Sequence, residues 1–435
     1  MDKIYVSGGT PLAGTVRISG SKNSSLAIMA GALLGEGPSI LRNVPNIGDI
    51  HTMVEMLQAI GIGVEWSSDG VLKIDATELR AREAPYELVK RMRASFSVLG
   101  PMLARVGAAR VAMPGGCAIG ARPVDYHVKG LMALGARIHI EHGFVEAEAD
   151  GLSGNCIYLD FPSAGATTHL MTAAALAEGV TTIENAAAEP EVIDLADFLT
   201  KMGARVEGAG SKKITIEGVQ QLRGVEHTII PDRIEAGTYA LAAVATGGEV
   251  VLDDVIPEHL KPLIAKLREA GAGIAPYGTS PDARCRMKVW CTARPRAVDV
   301  LAMPHPGFPT DLQQPIVAVL SLGEGTSVIT DHVFENRFKY IAELQRMGAD
   351  IRVESRSAIV KGVERLSGAE VSASDLRAGA ALVIAGLAAK GQTAISGLEY
   401  LDRGYDSLVE KLSDLGAEIE RYDVERTPLR LCAVS

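Results

Sequence analysis

Cys117 lies in the stretch PGGCAIGARPVD, residues 114–125, among glycines and five residues before Arg122. Glycines at this density let the backbone bend freely and leave room for a ligand. A cation near a thiol favours the thiolate, the form that exchanges protons and attacks electrophiles. Two uses fit the loop on its own: a small apolar residue at a turn, or a thiol that does chemistry. Other polar residues recur at one kind of place. Lys22 and Asn23, Arg93, Ser163, Arg233, Asp311 and Arg377 stand where apolar helices are expected to begin. Asp49, Arg122, Glu191, Arg337 and Arg403 stand at or near the starts of amphipathic ones. Helix starts carry unpaired N–H groups and attract anions. Arginine grips phosphate and carboxylate through two parallel hydrogen bonds. Blander uses exist: Asp311 and Asp49 as helix caps, DRIEAGT as a hinge salt bridge, His127 as a surface residue. Recurrence at the same end of successive units favours a basic cleft for an anionic substrate.

The elements that must position these residues repeat. LQAIGIGVEW, LMALGARIHI, LTKMGARVEG, LREAGAGIAP, LQRMGADIRV and LSDLGAEIER are six versions of one phrase, about 70 residues apart. Gly61, Gly135, Gly203, Gly271, Gly348 and Gly416 fall where a helix ends and an alternating strand begins. Upstream of each phrase comes a more apolar helix, such as SSLAIMAGALL or DLRAGAALVIAGL. Helices that are apolar all round must be buried on every side. Each unit therefore reads strand, buried helix, strand, amphipathic helix, strand. Six units make two α/β domains of three, with the boundary at IIPDRIEAGT, residues 229–238. The expected division is 22–229 for one domain, and 1–21 with 230–435 for the other, linked by two crossing strands. A cleft between such domains is a common place for a substrate.

The totals narrow the possibilities. The chain has 435 residues, 47% hydrophobic and 22% charged, a globular balance too long for one core. A net charge of −10 argues against a general nucleic-acid or membrane-surface binder. Five cysteines without a CxxC pair argue against a disulfide framework or a zinc site and suit a reducing compartment. The N-terminal MDKIYVSGG lacks the apolar core of a signal peptide, and GAALVIAGLAA, 379–389, is too short to span a bilayer. A cytoplasmic location is expected. No Walker loop, GxGxxG opening a helix, HExxH or GxSxG elbow is present, so nothing suggests a nucleotide hydrolase, a dehydrogenase or a metalloenzyme.

GTVRISGSKNSSLAIMAGALL, RASFSVLGPMLAR, PGGCAIGARPVDYHVKGLMALGA, FPSAGAT, DRIEAGTYALAA, PGFPTDLQQP, VFENRF and LDRGYDSLVEKL together resemble the enolpyruvyl transferase family over nearly the whole chain. The resemblance implies two inside-out α/β barrel domains, each of three pseudo-symmetric βαβαββ-type units, joined by a double-stranded hinge. It also implies a reaction that needs no metal or organic cofactor. The enolpyruvyl group of phosphoenolpyruvate moves to the 3-hydroxyl of UDP-N-acetylglucosamine by addition and elimination, releasing phosphate, as the first committed step of peptidoglycan synthesis. By the same resemblance Cys117 delivers a proton to the methylene carbon and is the attachment point of fosfomycin. Asp311 matches the family's base. Lys22, Arg122 and Arg403 match its phosphoenolpyruvate ligands, with Arg93, Arg337 and Arg377 lining the cleft. Asn23 and Asp375 match positions near the intermediate. Arg122, Pro123, Val124, Asp125, His127, Ser163, Ala164, Gly165, Asp311 and Val333 match the nucleotide-sugar site.

Departures bear on the acceptor. Gln313-Gln314-Pro315 stands where the family usually has Met-Gln-Ala-Gln, GATTHLM carries a histidine where the stretch usually lacks one, and RTPLRLCAVS extends past the last unit. Another uridine nucleotide as acceptor stays open. Shikimate 3-phosphate is the acceptor of relatives that lack the cysteine loop, and an inactive nucleotide-sugar-binding paralogue is the non-enzymatic alternative.

Overall fold

The computed structural model describes residues 2–67, 70–114, 124–277 and 283–422. Its buried apolar side chains separate into two cores. One runs from Leu26 to Ile229; the other joins Ile4–Ile18 to Ile234–Ile419. Each core is built around three helices: α1 (Lys22–Gly31), α2 (Leu99–Val106) and α3 (Ala164–Ala174) in the first, α4 (Arg233–Ala245), α5 (Gln313–Leu320) and α6 (Leu376–Ala388) in the second. In α4 every residue from Ile234 to Val244 is buried, and in α6 every residue from Arg377 to Leu387. Their all-round apolarity permits no exposed face, so α4, α5 and α6 pack on one another, each touching both of the others.

Two inner helices begin differently from the sequence expectation. Arg93–Val98 and Thr310–Leu312 form tight 3₁₀ turns, and the α-helices start only at Leu99 and Gln313. Pro101 and Pro315 explain where the change falls. Each sits in the first α-helical turn, where its missing N–H would have had no partner. Arg93 and Asp311 therefore lie within the 3₁₀ turns, and the caps of the α-helices are Val98 and Leu312.

Among the described residues six sheets of three or four strands wrap the two helical cores, and a seventh is the parallel pair of Gly35–Glu36 with Leu222–Arg223. Five share one order, a parallel edge strand followed by three strands in antiparallel succession. In one of them Glu370–Ser372 runs parallel to Gln392–Ser396, which pairs antiparallel with Lys3–Ser7, then Glu418–Tyr422. Its register sets Ile4 opposite Ile395. The sixth, of Ala108–Ala112, Phe144–Glu148 and Arg137–Glu141, has a single parallel bridge, Glu83 to Arg110, in place of the edge strand. The glycines that end the outer helices all have positive φ, from 86° at Gly61 to 116° at Gly203, as left-handed C-caps require. The inside-out α/β fold expected from the repeat is what the chain forms.

The chain crosses between the cores twice, and the crossings pair. Gly20 and Pro231 form an antiparallel bridge; Ser21 N donates to Ile230 O at 2.7 Å, and Asp232 N to Ser19 O at 2.8 Å. Residue 20 must be glycine, because a Cβ there would fall 1.7 Å from Asn43 O. No helix among the described residues is long and apolar enough to cross a membrane.

Candidate active site

α1 begins directly after the first crossing. Ser21 caps it, and the Lys22 N–H donates to Asp232 Oδ2 at 3.0 Å across the hinge. This anchors Lys22 in the first turn, where its ammonium lies 2.6 Å from Asp49 Oδ2. Arg403 comes from the other core, in the turn between helices Leu398–Leu401 and Leu408–Asp414. Its Nε donates to Asp49 Oδ1 at 2.8 Å. Nearby, Gly48 N donates to Asp402 O at 2.7 Å, so backbone also joins the two cores here. Asp49 thus holds one cation from each core. Burial alone raises its carboxyl, but Lys22 and Arg403 outweigh burial and keep it below the ordinary range. Burial lowers Lys22; Asp49 opposes that, while Arg377 and Arg403 add to it.

Asp311 is the second node. Arg337 Nη2 donates to its Oδ1 at 2.6 Å, and Arg377 Nε and Nη2 to its Oδ2 at 3.2 and 3.1 Å. Each guanidinium is otherwise enclosed. Arg337 lies 5.2 Å from the Phe334 ring centre and also donates to Thr310 Oγ1 at 2.8 Å; Arg377 lies 5.3 Å from the Tyr405 ring centre. Burial works against the charge of Arg377, yet Tyr405, Asp311 and Asp232 keep it protonated above its ordinary value. Arg337 Nε and Arg377 Nη1 are buried without a hydrogen-bond partner. Buried charged donors left open cost free energy unless a ligand completes them. Asp375 caps α6 through Arg377 N and Ala378 N and accepts from Gln314 Nε2 at 3.0 Å, so one of the unusual glutamines supports this node. Val333 lies on the adjoining loop, its N–H held by Asp331 Oδ1 at 2.8 Å.

A third link spans the cores: Arg233 grips both oxygens of Glu191 at 2.9 and 3.2 Å. DRIEAGT therefore does supply a salt bridge at the hinge. The Arg233 charge also acts on Asp311, and that of Arg377 on Lys22, so the nodes are neighbours.

The remaining predicted residues gather in the first core. Ser163 caps α3 through Ala166 N at 3.3 Å, with Ala164 and Gly165 in its first turn. Val124 is buried at the start of helix Asp125–Ala133, and Asp125 Oδ1 is buried without a partner. His127, two residues on, is half-buried and meets His169 rather than standing on the surface. Arg93 is near enough for its charge to act on His127. Asn23 is exposed in the first turn of α1. Cys117, Arg122 and Pro123 lie outside the described residues.

Sequence reasoning placed Asp49 and Glu191 at helix starts without pairing either with an arginine, and it missed the bond from Lys22 N to Asp232 and the pairing of His169 with His127. Charge matching between corresponding helix starts of the two cores would have flagged Asp49 and Glu191, each of which faces an arginine across the gap.

The family model for EPSP synthase (3-phosphoshikimate 1-carboxyvinyltransferase) matches residues 6–412, and the chain belongs to this family of enolpyruvyl transferases. Within it, the chain is similar to UDP-N-acetylglucosamine 1-carboxyvinyltransferases. The chain is 54% identical over 421 residues to UDP-N-acetylglucosamine 1-carboxyvinyltransferase 2 of Carboxydothermus hydrogenoformans, covering 97% of this chain and 99% of that one. It is 53% identical to UDP-N-acetylglucosamine 1-carboxyvinyltransferase of Nostoc sp., covering 96% and 93%. Among solved structures, the enolpyruvyl transferase NikO from Streptomyces tendae superposes with a TM-score of 0.86 at 27% identity, covering 97% and 98%. EPSP synthase from Acinetobacter baumannii shares the fold, with a TM-score of 0.73 at 20% identity, covering 97% and 100%.

Proposed function

We propose that this protein transfers the enolpyruvyl group of phosphoenolpyruvate to the 3-hydroxyl of UDP-N-acetylglucosamine and releases phosphate. The observation that carries the reading is the convergence of Lys22, Arg403, Arg337 and Arg377 around two carboxylates, with charged donors left open. A small, multiply anionic donor molecule suits such a place, since cations fixed in a water-poor site stabilise developing charge best. The assignment of the acceptor rests on the relatives that are more than half identical over almost the full chain.

In this scheme addition needs one proton delivered to the methylene carbon and one removed from the sugar hydroxyl. Cys117 supplies the first and is the thiol that fosfomycin modifies. Asp311 takes the second, held in place by Arg337 and Arg377. Lys22, Arg122 and Arg403 bind the phosphate and carboxylate, with Arg93 at the cleft and Asn23 and Asp375 near the intermediate. Elimination then removes a proton from the new methyl group to a base of the site, expels phosphate and restores the double bond. Val124, Asp125, His127, Ser163, Ala164, Gly165 and Val333, with Pro123, receive the nucleotide sugar; the open acceptor of Asp125 Oδ1 suits a ligand N–H. The division at 22–229 and at 1–21 with 230–435 is supported by the two cores and the paired crossing. The work is cytoplasmic, where both substrates are made.

A coupled phosphate-release assay tests the proposal. Phosphate should appear only when phosphoenolpyruvate and UDP-N-acetylglucosamine are both present. A flat trace with that pair, and release with UMP or shikimate 3-phosphate, would reassign the acceptor.

A further inference from the structure

Two histidines meet ring to ring beside the acceptor-side residues. His127 is on helix Asp125–Ala133; His169 is in α3 and only 1% exposed. Their Nδ1 atoms are 2.8 Å apart. On the far side of His169, the N–H of Gly100, in the first turn of α2, meets Nε2 at 2.7 Å.

Counting protons fixes both rings. A backbone N–H only donates, so Nε2 of His169 carries no proton. Neutral His169 then has its proton on Nδ1, and that N–H points at Nδ1 of His127, which must accept. His127 is left with its proton on Nε2. A proton added to His169 would set Nε2–H against the N–H of Gly100, at a helix start that already repels positive charge. A proton added to His127 would set two N–H groups against each other. Burial pushes His169 down to about 3. Burial, then His169, then the charge of Arg93, push His127 well below its ordinary value.

The packing is specific to this pair. Phe96 meets both rings edge-on, with centres 5.4 and 5.8 Å away. A Cβ on residue 100 would lie 2.7 Å from His169 Cδ2, so glycine is what lets the backbone reach the ring. On the outer edge, a Cβ on Gly165 would lie 3.8 Å from Nε2 of His127, so glycine leaves that edge uncovered.

We infer that His169 is a positioning residue that holds His127 as the neutral Nε2–H tautomer, presenting a fixed N–H donor to an oxygen of the acceptor nucleotide. The naming of the nucleotide rests on the proposed function; the tautomer does not.

The experiment has two arms. Long-range ¹⁵N NMR of the full chain, labelled at histidine and free of ligand, separates protonated from bare ring nitrogens. At neutral pH His127 should carry its proton on Nε2 and His169 on Nδ1; the reverse pattern, or exchange between the two, overturns the inference. The second arm is steady-state kinetics. His169→Leu should raise KM for UDP-N-acetylglucosamine roughly five- to tenfold, the value of one lost hydrogen bond, while kcat and KM for phosphoenolpyruvate move less than about twofold. His169→Asn, whose amide nitrogen can stand where Nδ1 stands, should recover most of the loss. Unchanged KM in the leucine variant, or a fall in kcat with KM intact, overturns the inference. Should circular dichroism show the leucine variant unfolded, the wild-type spectrum and the asparagine variant decide. No phosphate release with this acceptor, alongside the expected tautomers, would overturn the nucleotide and leave the tautomer lock standing.

Discussion

Asp49→Asn tests the electrostatic design most directly. The carboxylate is 5% exposed, with Lys22 at 2.6 Å and Arg403 at 2.8 Å. Deleting one partner of a buried pair costs about 3–5 kcal/mol. Asparagine keeps an oxygen for one donor, and Arg403 is 39% exposed, so water relieves part of its loss. Both effects bring the cost to or below the bottom of that range, about 2–3 kcal/mol. For a domain of ~200 residues each kcal/mol moves melting by about 2–4 °C, so a fall of about 4–12 °C is expected by calorimetry. The activity should change in a particular direction. Burial already lowers Lys22, and without Asp49 only Arg377 and Arg403 still press on it. Its ammonium will lose its proton at lower pH, so the alkaline limb of kcat/KM for phosphoenolpyruvate moves acid-ward. The plateau should drop by about ten- to a hundredfold, as for other lost preorganised charge. Phosphoenolpyruvate should restore more melting temperature to the variant than to the wild type, because its charge replaces the missing carboxylate. Melting within about 1 °C of wild type, with the alkaline limb unmoved, would refute the idea that Asp49 ties the two cores through their cations.

Three further outcomes are expected. Cys117→Ala should abolish fosfomycin labelling, read as a mass shift, with melting unchanged; labelling of the exposed Cys156 instead would remove Cys117 from its role. Cys285 and Cys291 should stay unlabelled, since burial pushes both thiols up and away from thiolate. Arg377→Lys should lower kcat by about a hundredfold while KM for UDP-N-acetylglucosamine changes little, because a single ammonium cannot grip Asp311 through two N–H groups and also lie over Tyr405; equal kcat would show that the two-point grip is dispensable. His169 gives a pH test of stability. Its folded value of about 3 lies below the unfolded value near 6.5, so on acidification the unfolded chain takes up the proton first. The stability it contributes is complete above about pH 6.5 and is lost below, by up to ~1.4 kcal/mol per pH unit. Denaturant titrations of His169→Asn should lack that slope between about pH 6.5 and 5, and an unaltered slope would place the proton elsewhere.

The repeat was legible because its punctuation is local. A glycine in left-handed conformation at each outer helix end leaves a mark every ~70 residues, and the apolar helices have no polar face to hide. Asp311 and Arg377 could be named as candidates from their places at helix starts. Their mutual grip could not, since 66 residues separate them. The bond between Asp49 and Arg403 spans 354 residues and depends on how the two cores close. The 3₁₀ entries before Leu99 and Gln313 escaped notice because hydrophobic spacing runs through them unbroken. His169 was visible as an odd residue, but its partner was set by a backbone N–H on another helix, which carries no sequence signal.

The sheet that holds Lys3–Ser7 has a consequence for how the chain is made. Those residues are made long before their hydrogen-bonding neighbours, Gln392–Ser396 and Glu418–Tyr422, which lie beyond the whole of the other core in the chain. The core from Leu26 to Ile229 needs nothing later than itself and is free to collapse during synthesis. The other core must keep an unpaired strand waiting until Gln392–Ser396 and Glu418–Tyr422 have been made. Shielding of that strand, rather than packing of the helices, is then what sets how safely the nascent chain reaches its finished form.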